Sequence, residues 1–289
     1  MVRKKFVAIA FLAGAFSNGR ATEIDLGKPV AQSVPEITGI YWNFDEELGP
    51  QQMFLDASGH GNDGTPVAGN GASPELVEGV NRPGVSGFGK AVRLSTSEPM
   101  PGEQGNPRVY ANMGVTNSLA LLDVSFTGGI WVRFFSVRSG ENQTVVLIDK
   151  GGFNTKAGEN AGHFCLFLVK GKDDAWQVGF QAGDGLENAT VFHGPPQICD
   201  FSDGEWHHIG FNFDFDRSAG NKVSFWVDGE LVGTESVNVS LTSGSNNTGA
   251  RRFFVGERVT TRYVSTFDGA VDDVFVTEGH FDFKSLPKP

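Results

Sequence analysis

From residue 22 onward, apolar side chains never hold the i, i+3, i+4 spacing of a helix for three turns. They come instead in short β-branched and aromatic runs, parted by clusters of Gly, Asn, Asp and Ser. These runs predict strands at 37–44 (ITGIYWNF), 90–95 (KAVRLS), 125–137 (SFTGGIWVRFFSV), 144–150 (TVVLIDK), 163–171 (HFCLFLVKG), 175–182 (AWQVGFQA) and 189–194 (ATVFHG). Further strand-forming stretches follow at 205–215 (EWHHIGFNFDF), 222–234 (KVSFWVDGELVGT), 251–257 (RRFFVGE) and 269–279 (GAVDDVFVTEG). Phe211, Phe213 and Phe215 alternate with polar residues, as a strand with one buried face requires. Asp228-Gly229 between two alternating runs is a tight-hairpin signal. The segment 74–80 (PELVEGV) reads as one helical turn, and 96–106 (TSEPMPGEQGN) as a loop. This many strands with antiparallel-style turns implies an all-β sandwich of two packed sheets. No linker or repeat divides them, so residues 37–289 are expected to form a single domain after a polar lead-in at 22–36.

The first 21 residues break this pattern. Basic MVRKK precedes the apolar run FVAIAFLAGAF, and polar SNGRA follows with small residues at Gly19 and Ala21. A membrane span needs roughly 20 apolar residues, so the run is too short to be one and reads as an export signal cut after Ala21. The remainder is then expected to be secreted, either extracellular or periplasmic. Arg3, Lys4, Lys5 and Arg20 leave with the signal, which turns a formal charge of −11 into −15, from 19 basic and 34 acidic residues. A body so acidic repels nucleic acid and anionic lipid, and suits divalent cations or neutral partners. Cys165 and Cys199 are the only cysteines. Outside the cytoplasm the pair is expected to be bridged, the alternative being two buried thiols.

Several stretches, taken in order, resemble the laminin-G-like, concanavalin A-like jelly-roll domains of secreted bacterial proteins. YWNFDEELGPQQMFLDASGHGNDGTP is similar to the opening of that family, and GVSGFGKAVRLS to its next strand. GGIWVRF, VVLIDKGG, DGEWHHIGFNFD, VSFWVDGELVGT and FDGAVDDVFVTEG resemble the strands that follow, over residues 40–277 in all. The resemblance implies a two-sheet antiparallel jelly-roll sandwich. Phe275 and Thr277 depart from the family's usual basic residue and tyrosine in the closing strand.

That fold hosts lectins, enzymes and adhesive modules alike, so function must be argued from residues. Sandwich relatives that hydrolyse glycans carry acids at alternate positions of one strand, which sets both on one face. Here the pairs Asp173-Asp174 and Asp272-Asp273 are adjacent and are expected to face opposite ways. Tyr41, Tyr110 and Tyr263 fall in no eliminase-like cluster, and no G-x-S-x-G or H-E-x-x-H run occurs. Gly59 to Gly64 matches G-x-G-x-x-G but lacks the strand and helix that a nucleotide site needs, so it reads as a turn. His207 and His208 are expected to divide between core and surface. Trp42, Trp131 and Trp206 are expected to pack in the core, while Trp176 and Trp226 stay open as sugar platforms.

The resemblance also suggests a structural calcium ion where the chain's ends meet. Calcium takes six to eight oxygens, and Asp45, Asp56 and Asp272 are the expected carboxylate ligands. Asn62 could join them, Asp63 lies in the same loop, and Asp273 could stand in for Asp272. The alternative is a set of solvent-facing acids and a polar turn. The expected function is a non-catalytic secreted binding module for carbohydrate or a surface glycoconjugate. Protein adhesion is the second reading and a polysaccharide-active enzyme the third.

Overall fold

The computed structural model describes residues 39–45, 53–68, 75–80, 89–95, 109–112, 121, 123–136, 144–150, 164–170, 175–183, 189–194, 200–237, 253–256 and 268–286. These form strands β1 (Ile40–Trp42), β2 (Thr65–Ala68), β3 (Glu75–Glu78), β4 (Lys90–Ser95), β5 (Val109–Asn112), β6 (Phe126–Ser136), β7 (Thr144–Lys150) and β8 (Phe164–Lys170). The order continues with β9 (Trp176–Gly183), β10 (Ala189–His193), β11 (Trp206–Asp214), β12 (Asn221–Val227), β13 (Glu230–Val237), β14 (Phe253–Val255) and β15 (Asp268–Glu278). A 3-10 turn, Phe283–Ser285, follows.

Two antiparallel sheets result, as the strand pattern and the jelly-roll resemblance led one to expect. One runs β13-β12-β11-β6-β15-β4-β3, and the other runs β10-β9-β8-β7-β14-β5-β2. Strand β15 organises the first sheet. One edge pairs along β6, while the other pairs with β4 over Asp268–Val271 and with β1 over Val274–Val276. The first and last described strands therefore pair in one sheet. The change of partner coincides with a bulge between Asp272 and Phe275, where Asp273 sits at φ 45°.

Alternation decides what the sheets enclose. Phe126, Ile130, Val132 and Phe134 of β6 face Phe164, Leu166 and Leu168 of β8 and Trp176, Val178 and Phe180 of β9. Phe211 and Phe213 complete an aromatic centre, with the Phe180 and Phe211 ring centroids 4.8 Å apart and those of Phe126 and Phe213 5.0 Å apart. Deleting any one of these rings would cost about 3–5 kcal/mol. The predicted hairpin is present: Asp228 and Gly229 both adopt positive φ, at 49° and 79°. That is the type I′ geometry which matches strand twist.

A second apolar cluster lies on the outer face of the eight-stranded sheet. Phe281, Phe283 and Leu286 of the final segment pack with Tyr41, Phe275 and Trp226. Phe283 rests where Gly210 has no side chain, and a Cβ there would strike its ring.

Three strands depart from the sequence reading. Residues 75–78 form β3 and not a helical turn, because Leu76 and Val77 pair with Val92 and Ala91 of β4. A four-residue segment gains more from an edge ladder than from a lone helical turn, whose nucleation is unfavourable. Strands β2 and β5 were not expected; both are four residues long, too short for a periodicity to show.

Candidate functional site

The acids expected to bind calcium accept backbone amides. In the 56–63 loop, Asp56 Oδ1 accepts the backbone N–H of Tyr41 at 3.0 Å and of Ser58 at 3.0 Å, and Oδ2 accepts that of Asn62 at 2.9 Å. Asp63 accepts the Asp56 N–H at 2.9 Å, and the Asn62 amide donates to the Gly39 carbonyl. Gly59 and Gly61, at φ 83° and 72°, let the loop turn back so these donors converge on one carboxylate. The loop is stapled to β1 by the Trp42 indole, which donates to the Asn62 carbonyl. Asp45 accepts the Lys90 N–H at 3.0 Å.

Asp272 is fully buried, and its oxygens accept the N–H of Val80 at 2.9 Å and of Asp273 at 2.8 Å. The bulge removes the strict alternation expected of the Asp272-Asp273 pair. Asp273 accepts the Tyr41 hydroxyl at 2.6 Å. A charge inside an apolar strand is thus met by aimed N–H and O–H dipoles, which hold a carboxylate in place as a cap holds a helix end. Among the described residues, no group of three or more His, Cys, Asp and Glu side chains is placed to hold a metal ion. Asp45, Asp56 and Asp272 each accept at least one backbone amide.

The histidine pair is split by strand alternation, but neither ring is at the surface. His207 bridges two turns: Nδ1 lies 2.8 Å from Asp228 and Nε2 lies 3.2 Å from Asp203. The expectation of one surface histidine fails because both of these turns fold over the ring. His208 is fully buried on the opposite face against Trp131, Phe275 and Phe283, with ring centroids 5.2, 6.5 and 5.3 Å away. Neither of its nitrogens has a hydrogen-bond partner. Burial pushes its pKa down to about 3.

The tryptophans sort differently from expectation. Trp42 is in the central core, and Trp176 is buried there too, stacked on Phe134. Trp131 is buried against His208, on the side of β6 opposite to Ile130 and Val132 and so not between the sheets. Trp226 is half-buried, with Phe283 5.7 Å from it. Trp206 is also only half-buried, which corrects its assignment to the core. It is the first residue of β11, in register with Arg133 of β6.

The expected Cys165–Cys199 bridge has one partner outside the described residues. Cys165 itself is buried on the outer face of the seven-stranded sheet, in register with Asp149 on one side and Gln181 on the other. Gln181 is buried with neither amide atom hydrogen-bonded. Nothing in the sequence marked this row, because a lone Gln in an apolar strand has no periodicity. The loop read at 96–106 lies outside the described residues, as do the export segment and the lead-in.

The outer face of the eight-stranded sheet has one open end. Arg93 of β4 and Arg133 of β6 are both in register with Ala270 of β15, and Trp206 of β11 is in register with Arg133. Phe135, two residues beyond Arg133, is 42% exposed. The Arg93 and Arg133 guanidiniums lie 5.1 and 5.7 Å from its ring centroid. Among the described residues, no helix is long and apolar enough to cross a membrane.

Solved structures with this architecture serve different ends. The binding domain of Paraclostridial Mosquitocidal Protein 1 superposes with a TM-score of 0.54 at 10% identity, over 85% of this chain and 50% of that one. This chain therefore spans about half of that domain's length. Domain 4 of AbnA, an extracellular arabinanase from Geobacillus stearothermophilus solved with arabinotriose, superposes with a TM-score of 0.51 at 17% identity, over 85% and 94% of the two chains. An endo-β-1,4-glucuronan lyase from the fungus Trichoderma reesei gives 0.50 at 14% identity, over 82% and 94%. At such identities the likeness shows the fold alone. None of the curated proteins compared matches the chain. A laminin-G family model, described as the concanavalin A-like lectin/glucanases superfamily, matches residues 108–279, more than half of the chain, and the chain belongs to that superfamily.

Proposed function

We propose that this chain is a non-catalytic binding module that holds carbohydrate, free or displayed on a glycoconjugate, outside the cytoplasm. The observation that supports it is the use made of the buried acids. Glycan hydrolysis needs two carboxyl groups flanking one bond, one protonated and one free to act as base or nucleophile. Asp56 and Asp272 instead accept backbone amides on both oxygens, and Asp228 is held by His207 and the His208 N–H. Those acids hold loops to strands. What the superfamily fold then offers is a rigid two-sheet platform for recognition. The export-like segment at 1–21 supports a site of action beyond the inner membrane.

A glycan array probed with the purified chain tests the reading, beside a reducing-end assay on the glycans that bind. Saturable binding without new reducing ends is expected. Release of reducing ends would replace the proposal with a glycan-cleaving enzyme. Silence across the array would favour a protein partner.

A further inference from the structure

We propose that the open end of the eight-stranded sheet's outer face, formed by Arg93, Arg133, Phe135 and Trp206, binds a sugar bearing a carboxylate, such as a uronic or sialic acid. This deepens the carbohydrate-binding reading and rests on it.

Register builds the site. Directly paired residues share a face, so Arg93, Ala270, Arg133 and Trp206 form one row across four strands. Ala270 is fully buried between the arginines, and its small side chain lets both guanidiniums approach the Phe135 ring. Phe135 shares that face with Arg133, two residues along the strand.

The two guanidiniums differ in what they have left to give. Arg93 faces Glu75 at 3.5 Å and Asp268 at 3.3 Å, so its charge is locally answered. Arg133 donates Nε to the Gly204 carbonyl at 2.6 Å, and its two terminal NH2 groups make no hydrogen bond with any described residue. The Gly204 bond and the Phe135 ring hold the planar head at two points, so much of the ordering cost of binding is already met. What remains is a fork of N–H donors, the group that pairs bidentately with a carboxylate.

The neighbours decide what carries that carboxylate. Phe135 is the exposed aromatic among the described large hydrophobic side chains, and Trp206 is half-open across the row. Aromatic faces of this kind take the C–H face of a sugar ring. Glu75 and Asp268 beside Arg93, on a chain of net charge −11, oppose a densely charged polyanion. One carboxylate on an otherwise neutral, partly apolar ring is the chemistry that fits.

Calorimetric titration of the full chain tests this, with trigalacturonate and sialyllactose as ligands. Carboxyl-reduced trigalacturonate and lactose are the neutral counterparts. At least one carboxylated sugar should bind, about tenfold or more tighter than its counterpart, given the strength of hydrogen bonds to charged groups. The sugar that binds names the source. Arg133→Gln should lose at least about tenfold in affinity and Phe135→Ala several-fold, since the first removes the fork and the second the platform. Phe135→Ala leaves the Gly204 bond intact, so it separates ligand contact from loop loosening. Neutral sugars binding as well as carboxylated ones would overturn the site while the module reading stands. So would both variants binding like the parent. Failure of every sugar, here and on an array, would overturn both.

Discussion

Acid should destabilise this protein through His208, and by an amount that can be worked out. The ring is sealed by Trp131, Phe275 and Phe283, and no charge near it offsets its burial. In the unfolded chain the imidazole takes up a proton below its ordinary value of 6.5, whereas in the fold it stays neutral down to about 3. Between those values the unfolded state binds more protons, so stability falls as pH falls through the window. Each pH unit is worth about 1.4 kcal/mol, hence about 2 kcal/mol at pH 5 relative to pH 7. For a domain of this size that lowers the melting temperature by roughly 4–8 °C. The assay is thermal melting of parent and His208→Leu at steps from pH 7.5 to 5.0, a range in which most carboxylates stay ionised. At pH 7 the variant should be at least as stable, because two buried nitrogens without partners are gone. Its advantage should then widen by about 2 kcal/mol on going to pH 5. Parallel profiles for the two proteins would refute the reasoning.

Gly210→Ala should cost about 1–3 kcal/mol in urea denaturation, because the new methyl meets the Phe283 ring. Unchanged stability would mean that the C-terminal segment does not rest there. Asp272→Ala should cost about 3 kcal/mol or more, since it strands the Val80 and Asp273 amides in a buried place. Chelation separates two uses of the acids. Carboxylates satisfied by backbone amides predict an unmoved melting curve, and a fall that calcium reverses would put an ion at Asp45, Asp56 and Asp272. Non-reducing peptide mapping should recover Cys165 linked to Cys199, and two free thiols after export would end that expectation.

Residues whose role is set by alternation were legible in the sequence. Phe211 and Phe213 point inward because every second residue of β11 does, and the Asp228-Gly229 hairpin follows from two positive φ angles that this pair tolerates. What stayed hidden depends on a second layer. His207 and His208 were rightly expected on opposite faces, yet nothing local says that two turns cover one and the final segment covers the other. Asp272 drew notice in the sequence as an expected calcium ligand. One of its partners is the N–H of Val80, 192 residues away, and a backbone donor leaves no mark in a sequence. Trp206 misled because membership of a strand motif does not reveal where the sheet runs out of cover.

The outer face of the eight-stranded sheet is therefore two surfaces, and the final segment divides them. Strand β6 shows both. Around Gly129 and Trp131 its side is closed, because a Cβ at Gly129 would strike Phe275 and His208, and Phe281, Phe283 and Leu286 seal the cluster. Two and four residues beyond Trp131, Arg133 and Phe135 reach solvent. Closing the first half makes the sheet stiff, because Phe275 and Phe283 are wedged against Gly129 and Gly210, which lack a side chain at the point of contact. Stiffness is what the second half needs. Its arginines stand on β4 and β6, and both strands are hydrogen-bonded to β15, which the closed half clamps through Phe275. Loosening the C-terminal cap should for that reason weaken carboxylate binding at Arg133 without touching it. Phe283→Ala, melted and titrated beside the parent at a temperature where both are folded, should bind trigalacturonate or sialyllactose less tightly. Unchanged affinity in a destabilised but folded variant would show that the two halves are independent.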